Sequence, residues 1–341
     1  MPQFALDCSA FLVSFSVTPK KIVRYLEKHG QSSRPPLKFA APENVRTAAV
    51  QMAPRPYRGL EDYLSEMLYF TKSAADTGAH LIVFPQYTGL LPLSLMPGCG
   101  KLLLDVLQTP LEDLPASTLE RFSNLVRTAQ GFLYEIHLYT FSTLALLQKA
   151  YICAGSIFVW EDQQLYHRSL LFSPDGEAIH TQDQLCPTGL AAALGVTPGQ
   201  SAQPADTLLG KVGIVIGADA YYFELFHILQ KKSAQIIAMP LCADTFPAGL
   251  DFCRARQSPA YLIESPLLTT KYHRLRAQIL SPMGVSAACE QPEGAVCASR
   301  IDLCKLPLPA AGWGTDPTFL FSDYLPAYRI YAQQTQKEQA G

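Results

Sequence analysis

Three short runs constrain this chain most: HLIVFP at residues 80–85, KVGIVI at 211–216 and QIIAMP at 235–240. Each is mostly apolar, rich in branched side chains and bounded by proline or glycine, with no regular alternation of polar and apolar residues. A strand that presents apolar side chains on both faces needs cover on both, as parallel strands in α/β domains have. Segments with helical spacing lie between these runs. Residues 59–77 carry Leu60, Tyr63, Leu64, Met67, Leu68 and Ala74 at mostly three- and four-residue intervals. Residues 109–150 are helical in pattern, with a break expected near Gly131, and helices are expected over 222–232 and 250–262. Further strands are expected at 45–52, 151–160, 165–172, 266–270, 284–289 and 294–303. Alternating strands and helices of this kind predict an α/β fold class.

The pattern divides the chain into an extension (1–44), a main domain (45–305) and a proline-bearing tail (306–341). Within the extension, Thr18 stands as an N-cap, Pro19 at the first helical position and Gly30 at the end, so a short helix is expected over 19–29. Residues 4–17 are apolar but interrupted by Asp7 and serines. They are too short for a bilayer span and lack the layout of a secretory signal. An arm packed on its own domain is expected, with Lys20, Lys21, Arg24 and Lys28 as a solvated basic face, and a cytoplasmic location follows.

Composition excludes several classes. Of 341 residues, 48% are hydrophobic and 16% charged, which provides for a large core and leaves little charge for an isolated surface. The net charge of −2 and scattered basic residues argue against a nucleic-acid partner. Nine cysteines, an odd number without CxxC or metal-ligand spacing, fit a reducing compartment better than a disulfide framework, and no metal site is expected. Dinucleotide, nucleotide-triphosphate, zincin and serine-hydrolase signatures are absent, and no cofactor is expected.

Five segments, in order, carry a resemblance. They are VRTAAVQM from residue 45, HLIVFPQYTG from 80, DGEAIHTQDQLCPT from 175, GKVGIVIGADAYYFELFHIL from 210 and PMGVSAACEQPEGAVCASRIDL from 282. Together they span most of the chain, and the sequence resembles the nitrilase superfamily of carbon–nitrogen hydrolases. The resemblance implies a four-layer α-β-β-α sandwich and a homodimer. It also implies cysteine chemistry: a thiolate nucleophile, a glutamate base and a lysine beside the developing oxyanion.

Carried over position by position, those roles fall on other residues. The glutamate that follows F-P in the family falls on Gln86, after Phe84 and Pro85. The lysine position falls on Gln184, or on Gln182 in a neighbouring frame. The cysteine of the I-C-x-D motif falls on Gly217, before Ala218 and Asp219, and a second glutamate of many members falls near Leu190 or Ala191. Glutamine takes no proton at neutral pH and glycine forms no thioester, so hydrolysis by the family mechanism is not expected.

The expected pocket comprises Gln86, Tyr87, Gln184, Gly217, Ala218, Asp219, Tyr221 and Cys242. The two glutamines read either as a neutral pair holding a small polar ligand or as replacements that keep the pocket filled. Gly217 reads as an opening of the pocket or as a residue tolerated at a tight turn. Asp219 and Glu224 are expected to cap and orient the following helix. A relocated nucleophile would be Cys242 or Cys186, though no histidine is spaced to activate either. His180 reads as a surface or satisfied residue. Three functions stay open: a silent homologue binding a ligand or a protein partner, an amide or nitrile hydrolase using a relocated cysteine, and a structural subunit pairing with an active homologue.

Overall fold

A computed structural model describes residues 17–37, 40–242, 249–269, 275–291 and 294–307. The segment at 4–16, Cys8 and most of the tail lie outside these. Strands β1 (Val45–Gln51), β2 (Leu81–Val83) and β3 (Tyr151–Cys153) run parallel side by side. They are joined by β4 (Ile157–Glu161), β5 (Gln164–Phe172), β6 (Ala178–Asp183) and β13 (Ala295–Ile301) into one sheet, in the order β13-β1-β2-β3-β5-β4 with β6 also on β5. The second sheet contains β7 (Ala205–Thr207), β8 (Gly210–Ile214), β9 (Ile236–Cys242), β10 (Tyr261–Leu267), β11 (Gln278–Ser281) and β12 (Gly284–Ala288). Its order is β12-β11-β10-β9-β8-β7, with β8, β9 and β10 parallel.

Side-chain alternation explains why the parallel runs are apolar throughout. On β1, Val45 and Ala49 enter the core between the sheets, while Ala48 and Val50 face the helices. Leu81 and Val83 point one way and Ile82 and Phe84 the other. The second sheet does the same, with Ile236 and Ala238 inward and Ile237, Met239 and Leu241 outward. Three apolar layers thus separate four layers of structure, the expected α-β-β-α sandwich. On the first sheet lie α1 (Pro19–His29), α2 (Leu60–Asp76), α3 (Cys99–Gln108) and α4 (Ala116–Gln148). A short helix, α5 (Gly189–Ala193), leads towards the second sheet, which α6 (Phe223–Lys231) and α7 (Leu250–Gln257) cover.

The α1 helix has the expected bounds. Its cap forms as read, the Thr18 side chain accepting from the Lys21 N–H, and Ile22 and Leu26 are buried in the helix-side core. The Gln148 amide donates to the Gly30 carbonyl at 2.8 Å, fastening the end of α1 to α4. Other boundaries differ from expectation. Helix α4 runs unbroken through Gly131, because neighbours such as Phe132, Leu133 and Val126 bury enough surface to hold the turn. The expected strand at 151–160 is two strands separated by Ala154, Gly155 and Ser156. The helix expected to Leu262 stops at Gln257, and Tyr261 already begins β10. The short strands β6, β7 and β11 carry too little periodicity to have been read. Among the described residues, no helix is long and apolar enough to cross a membrane, and no three His, Cys, Asp or Glu groups converge as metal ligands.

Candidate functional site

The expected site residues come from loops at the carboxyl ends of parallel strands, where α/β sheets present their binding groups. Gln86 follows β2, Ser156 follows β3, Gly217 follows β8 and Cys242 ends β9. Two glycines shape the approach. Gly155, at φ 71°, leaves no room for a Cβ against the Pro85 carbonyl, so the loop after β3 lies directly on the loop after β2. Gly217, at φ 51°, would place a Cβ 2.5 Å from both the Oε1 and the Nε2 of Gln86. The glutamine amide therefore occupies the space into which a side chain at 217 would grow.

Gln86 is 4% exposed, and its Oε1 accepts the Cys242 N–H at 2.8 Å. Gln184 is 1% exposed; its Nε2 donates to the Ile216 carbonyl at 3.4 Å, immediately before Gly217. Gln182, the other frame for the same role, instead donates to the carbonyls of Asp183 and Ser201. Gln86, Gln184 and Gly217 are thus brought together.

A buried chain of neutral groups continues from Gln184. Its Oε1 lies 2.8 Å from His167 Nδ1, and His167 Nε2 lies 2.6 Å from Ser156 Oγ. Since Gln184 Oε1 only accepts, His167 Nδ1 carries the proton and Nε2 accepts from the serine hydroxyl. Ser156 Oγ in turn accepts the Tyr87 N–H at 2.9 Å. Tyr87 holds a left-handed φ of 63° and stacks on His167, with centroids 4.9 Å apart and planes 10° apart. Burial drives the His167 pKa down to about 4 against a smaller upward pull from Gln184, which keeps the ring neutral near pH 7. Sequence reasoning took up His180, which stands half-buried on β6 opposite Leu171, and missed His167 and Ser156. The only available signal was the alternation of buried Leu165, His167 and Ser169 along β5.

Asp219 is buried in the 3₁₀ turn after Gly217 and accepts the N–H groups of Leu185 (2.9 Å) and Cys186 (2.7 Å). It clamps the segment after Gln184 onto that turn. Burial raises its pKa to about 7, partly offset by those two donors. Ala218 is partly exposed, and the carbonyl of half-buried Tyr221 accepts from Arg254 of α7. Leu190 and Ala191 are buried on α5.

At Cys186 and Cys153 the surroundings oppose the thiolate. Burial, then Asp219 and Glu224, push the Cys186 thiol up. Cys242 reaches Gln86 through its backbone and is partly buried. Cys153 lies in the core between the sheets, with burial pushing its thiol up to about 11. As a whole, the cluster can donate and accept hydrogen bonds through amides, a neutral imidazole, a hydroxyl and backbone groups.

The profile of the family described as carbon–nitrogen hydrolase matches residues 46–251. Among curated relatives, the probable hydrolase YhcX of Bacillus subtilis (strain 168) is 26% identical over 201 residues. That match covers 59% of this chain and 35% of the relative, so the chain spans about a third of the protein it resembles. A solved double mutant of the amidase from Nesterenkonia sp. AN1, in complex with acrylamide, superposes with a TM-score of 0.60. It shares 14% identity, over 84% of this chain and 99% of the amidase. Saccharomyces cerevisiae Nit3, of branch 10 of the nitrilase superfamily, gives a TM-score of 0.54 at 18% identity, over 79% of this chain and 93% of that one. These likenesses establish a shared fold.

Proposed function

The chain belongs to the carbon–nitrogen hydrolase family, and from that premise we propose that it is a non-hydrolytic member whose former catalytic cup holds a small, neutral, polar ligand. The observation that carries this reading is the packing of the Gln86 amide against Gly217, with Gln184 alongside on the Ile216 carbonyl. At the three positions where the resemblance calls for a base, a cation and a thiol stand two amides and no side chain. Removing a nucleophile alone commonly costs on the order of a millionfold in turnover. What such a site retains is hydrogen-bonding capacity, suited to a carboxamide or urea-like group. Family resemblance makes a homodimer the expected assembly, which sedimentation of the purified protein tests.

The deciding experiment incubates the protein with amides, carbamoyl compounds and nitriles, and follows ammonia release together with intact mass. Silence in both readouts, with saturable binding of a neutral amide by calorimetry, is the expected result. Saturable ammonia release would overturn the reading. A second reading draws on the hydrogen-bond order Ser156–His167–Gln184, which is that of a nucleophile, base and orienting group. Full burial of Ser156 and the bond it receives from Tyr87 weigh against it. An acyl adduct mapped to Ser156, or to Cys242 or Cys186, would make this the working mechanism.

A further inference from the structure

The two amides at the cup have their polarity fixed by partners that act in one sense only. A backbone N–H donates and never accepts, so the Gln86 atom 2.8 Å from the Cys242 nitrogen is its carbonyl oxygen. The NH2 group is the other end of that amide, and a Cβ at Gly217 would stand 2.5 Å from its nitrogen. At Gln184 the one-way partner is the Ile216 carbonyl, which only accepts. The amide atom 3.4 Å from it is therefore Nε2, and Oε1 is the end turned to His167, 2.8 Å from Nδ1. Turning either amide over would set two donors or two acceptors against each other in a buried place.

We infer that the cup recognises its ligand through a neutral carbonyl oxygen, received by the NH2 groups of Gln86 and Gln184 beside the Ile216–Gly217 peptide, and that His167 is the residue that sets the polarity of Gln184. The inference rests on the ligand-binding reading of the cup and narrows it: the ligand's carbonyl is what is read, and its nitrogen is not.

His167 acts through Gln184 as a positioning residue. Its Nδ1 donates to Gln184 Oε1, which leaves Nε2 to accept from the Ser156 hydroxyl at 2.6 Å. Ser156 Oγ gives its one proton to that ring and accepts the Tyr87 N–H at 2.9 Å. Every donor from Tyr87 through Ser156 and His167 to Gln184 thus points the same way. The run ends on Gln184 Nε2, where one hydrogen meets the Ile216 carbonyl and the second serves the ligand. Burial keeps the ring neutral, with its pKa at about 4, so the direction does not invert near pH 7. Neither amide donor is charged, so a neutral carbonyl is matched better than a carboxylate, whose burial calls for a cation beside it.

The test titrates the full chain, by calorimetry, with neutral compounds of nearly one shape. Acetamide carries a carbonyl and an NH2 group. Acetone keeps the carbonyl and has a methyl in place of the NH2; thioacetamide keeps the NH2 and replaces the oxygen with sulfur, a weak acceptor. Acetone is expected to bind within about tenfold of acetamide, and thioacetamide at least about tenfold more weakly than either. Thioacetamide binding as tightly as acetone would overturn this inference and leave a ligand-binding cup standing. No saturable binding of any of these compounds would overturn both. A further readout needs no ligand: in proton–nitrogen correlation spectra of the histidine rings, His167 should carry its proton on Nδ1. A proton on Nε2 would overturn the assigned direction, whereas a ring that merely fills space has no reason to hold one tautomer.

Discussion

At Gly217, a backbone dihedral and a neighbouring side chain make the same demand. A left-handed φ strains any residue with a Cβ, and here that Cβ would also overlap the Gln86 amide. Gly217→Ala is expected to lower unfolding stability by about 1–3 kcal/mol in a denaturant titration. Combining it with Gln86→Ala should cost less than the two changes summed, because the second removes the obstacle. An additive result would mean that the amide does not occupy that space in solution. For the same reason, Gly217→Cys alone is not expected to create cysteine-dependent hydrolysis, since the thiol would have to displace Gln86.

Glu264 provides a second test at this scale. It shares the outer face of β10 with Leu262, beneath α7, and its Oε2 accepts from Gln278 Nε2 at 2.7 Å. The same amide donates to Asp251 of α7. Burial, then the nearby Asp251 charge, raise the Glu264 pKa from 4.5 to about 8. A raised carboxyl pKa means the folded chain binds the proton more tightly than the unfolded chain. Its contribution is fully present below the unfolded pKa and is lost as pH rises through about 8. Glu264→Gln should therefore stabilise the protein by about 2–4 kcal/mol above pH ~8 and change little below pH ~4. Thermal melts across that range check it; a pH-independent difference would place the proton elsewhere.

Among the elements, α4 shows how packing outweighs a local signal. Gly131 marks a break to any reading of propensity, yet the helix continues because its flanking residues are buried on the first sheet and on neighbouring helices. Gly131 itself is exposed, and nothing lies within 4 Å of where its Cβ would be. Gly131→Ala should accordingly raise stability by roughly 0.5–1 kcal/mol, read as a higher melting temperature. The break between β3 and β4 is the opposite case. YICAGSIFVW is apolar enough for one strand, but Gly155 turns it aside so that Ser156 points at His167.

For the molecule as a whole, polar ties join the two sheets at several places among the described residues. The buried Gln51 side chain, at the end of β1, accepts the Ala277 N–H at 2.8 Å and donates to the Gln291 carbonyl at 2.8 Å. Ser265 of β10 donates to the Val50 carbonyl. Gln51→Leu would leave the buried Ala277 N–H without its acceptor and the Gln291 carbonyl without its donor, and should cost about 1–3 kcal/mol in unfolding free energy. A loss below about 0.5 kcal/mol would mean that solvent reaches this seam.

The chain's own order of residues determined the class of fold. Runs such as HLIVFP and QIIAMP require cover on both faces, and Gln86 and Gly217, on which the resemblance places two of the family's roles, can be counted along the chain because they follow recognisable strand ends. Helix α1 was legible for a related reason, since Thr18, Pro19 and Gly30 act on their immediate neighbours. The tertiary structure alone decided what depends on contacts between distant segments. His167 and Ser156 join Gln184 only because β5, the loop after β3 and the segment after β6 converge. Gly217 meets Gln86 only where separate strands come together. Local chemistry dictates φ, caps and which faces are apolar; the partner of a buried polar group is chosen by the packing that brings it there.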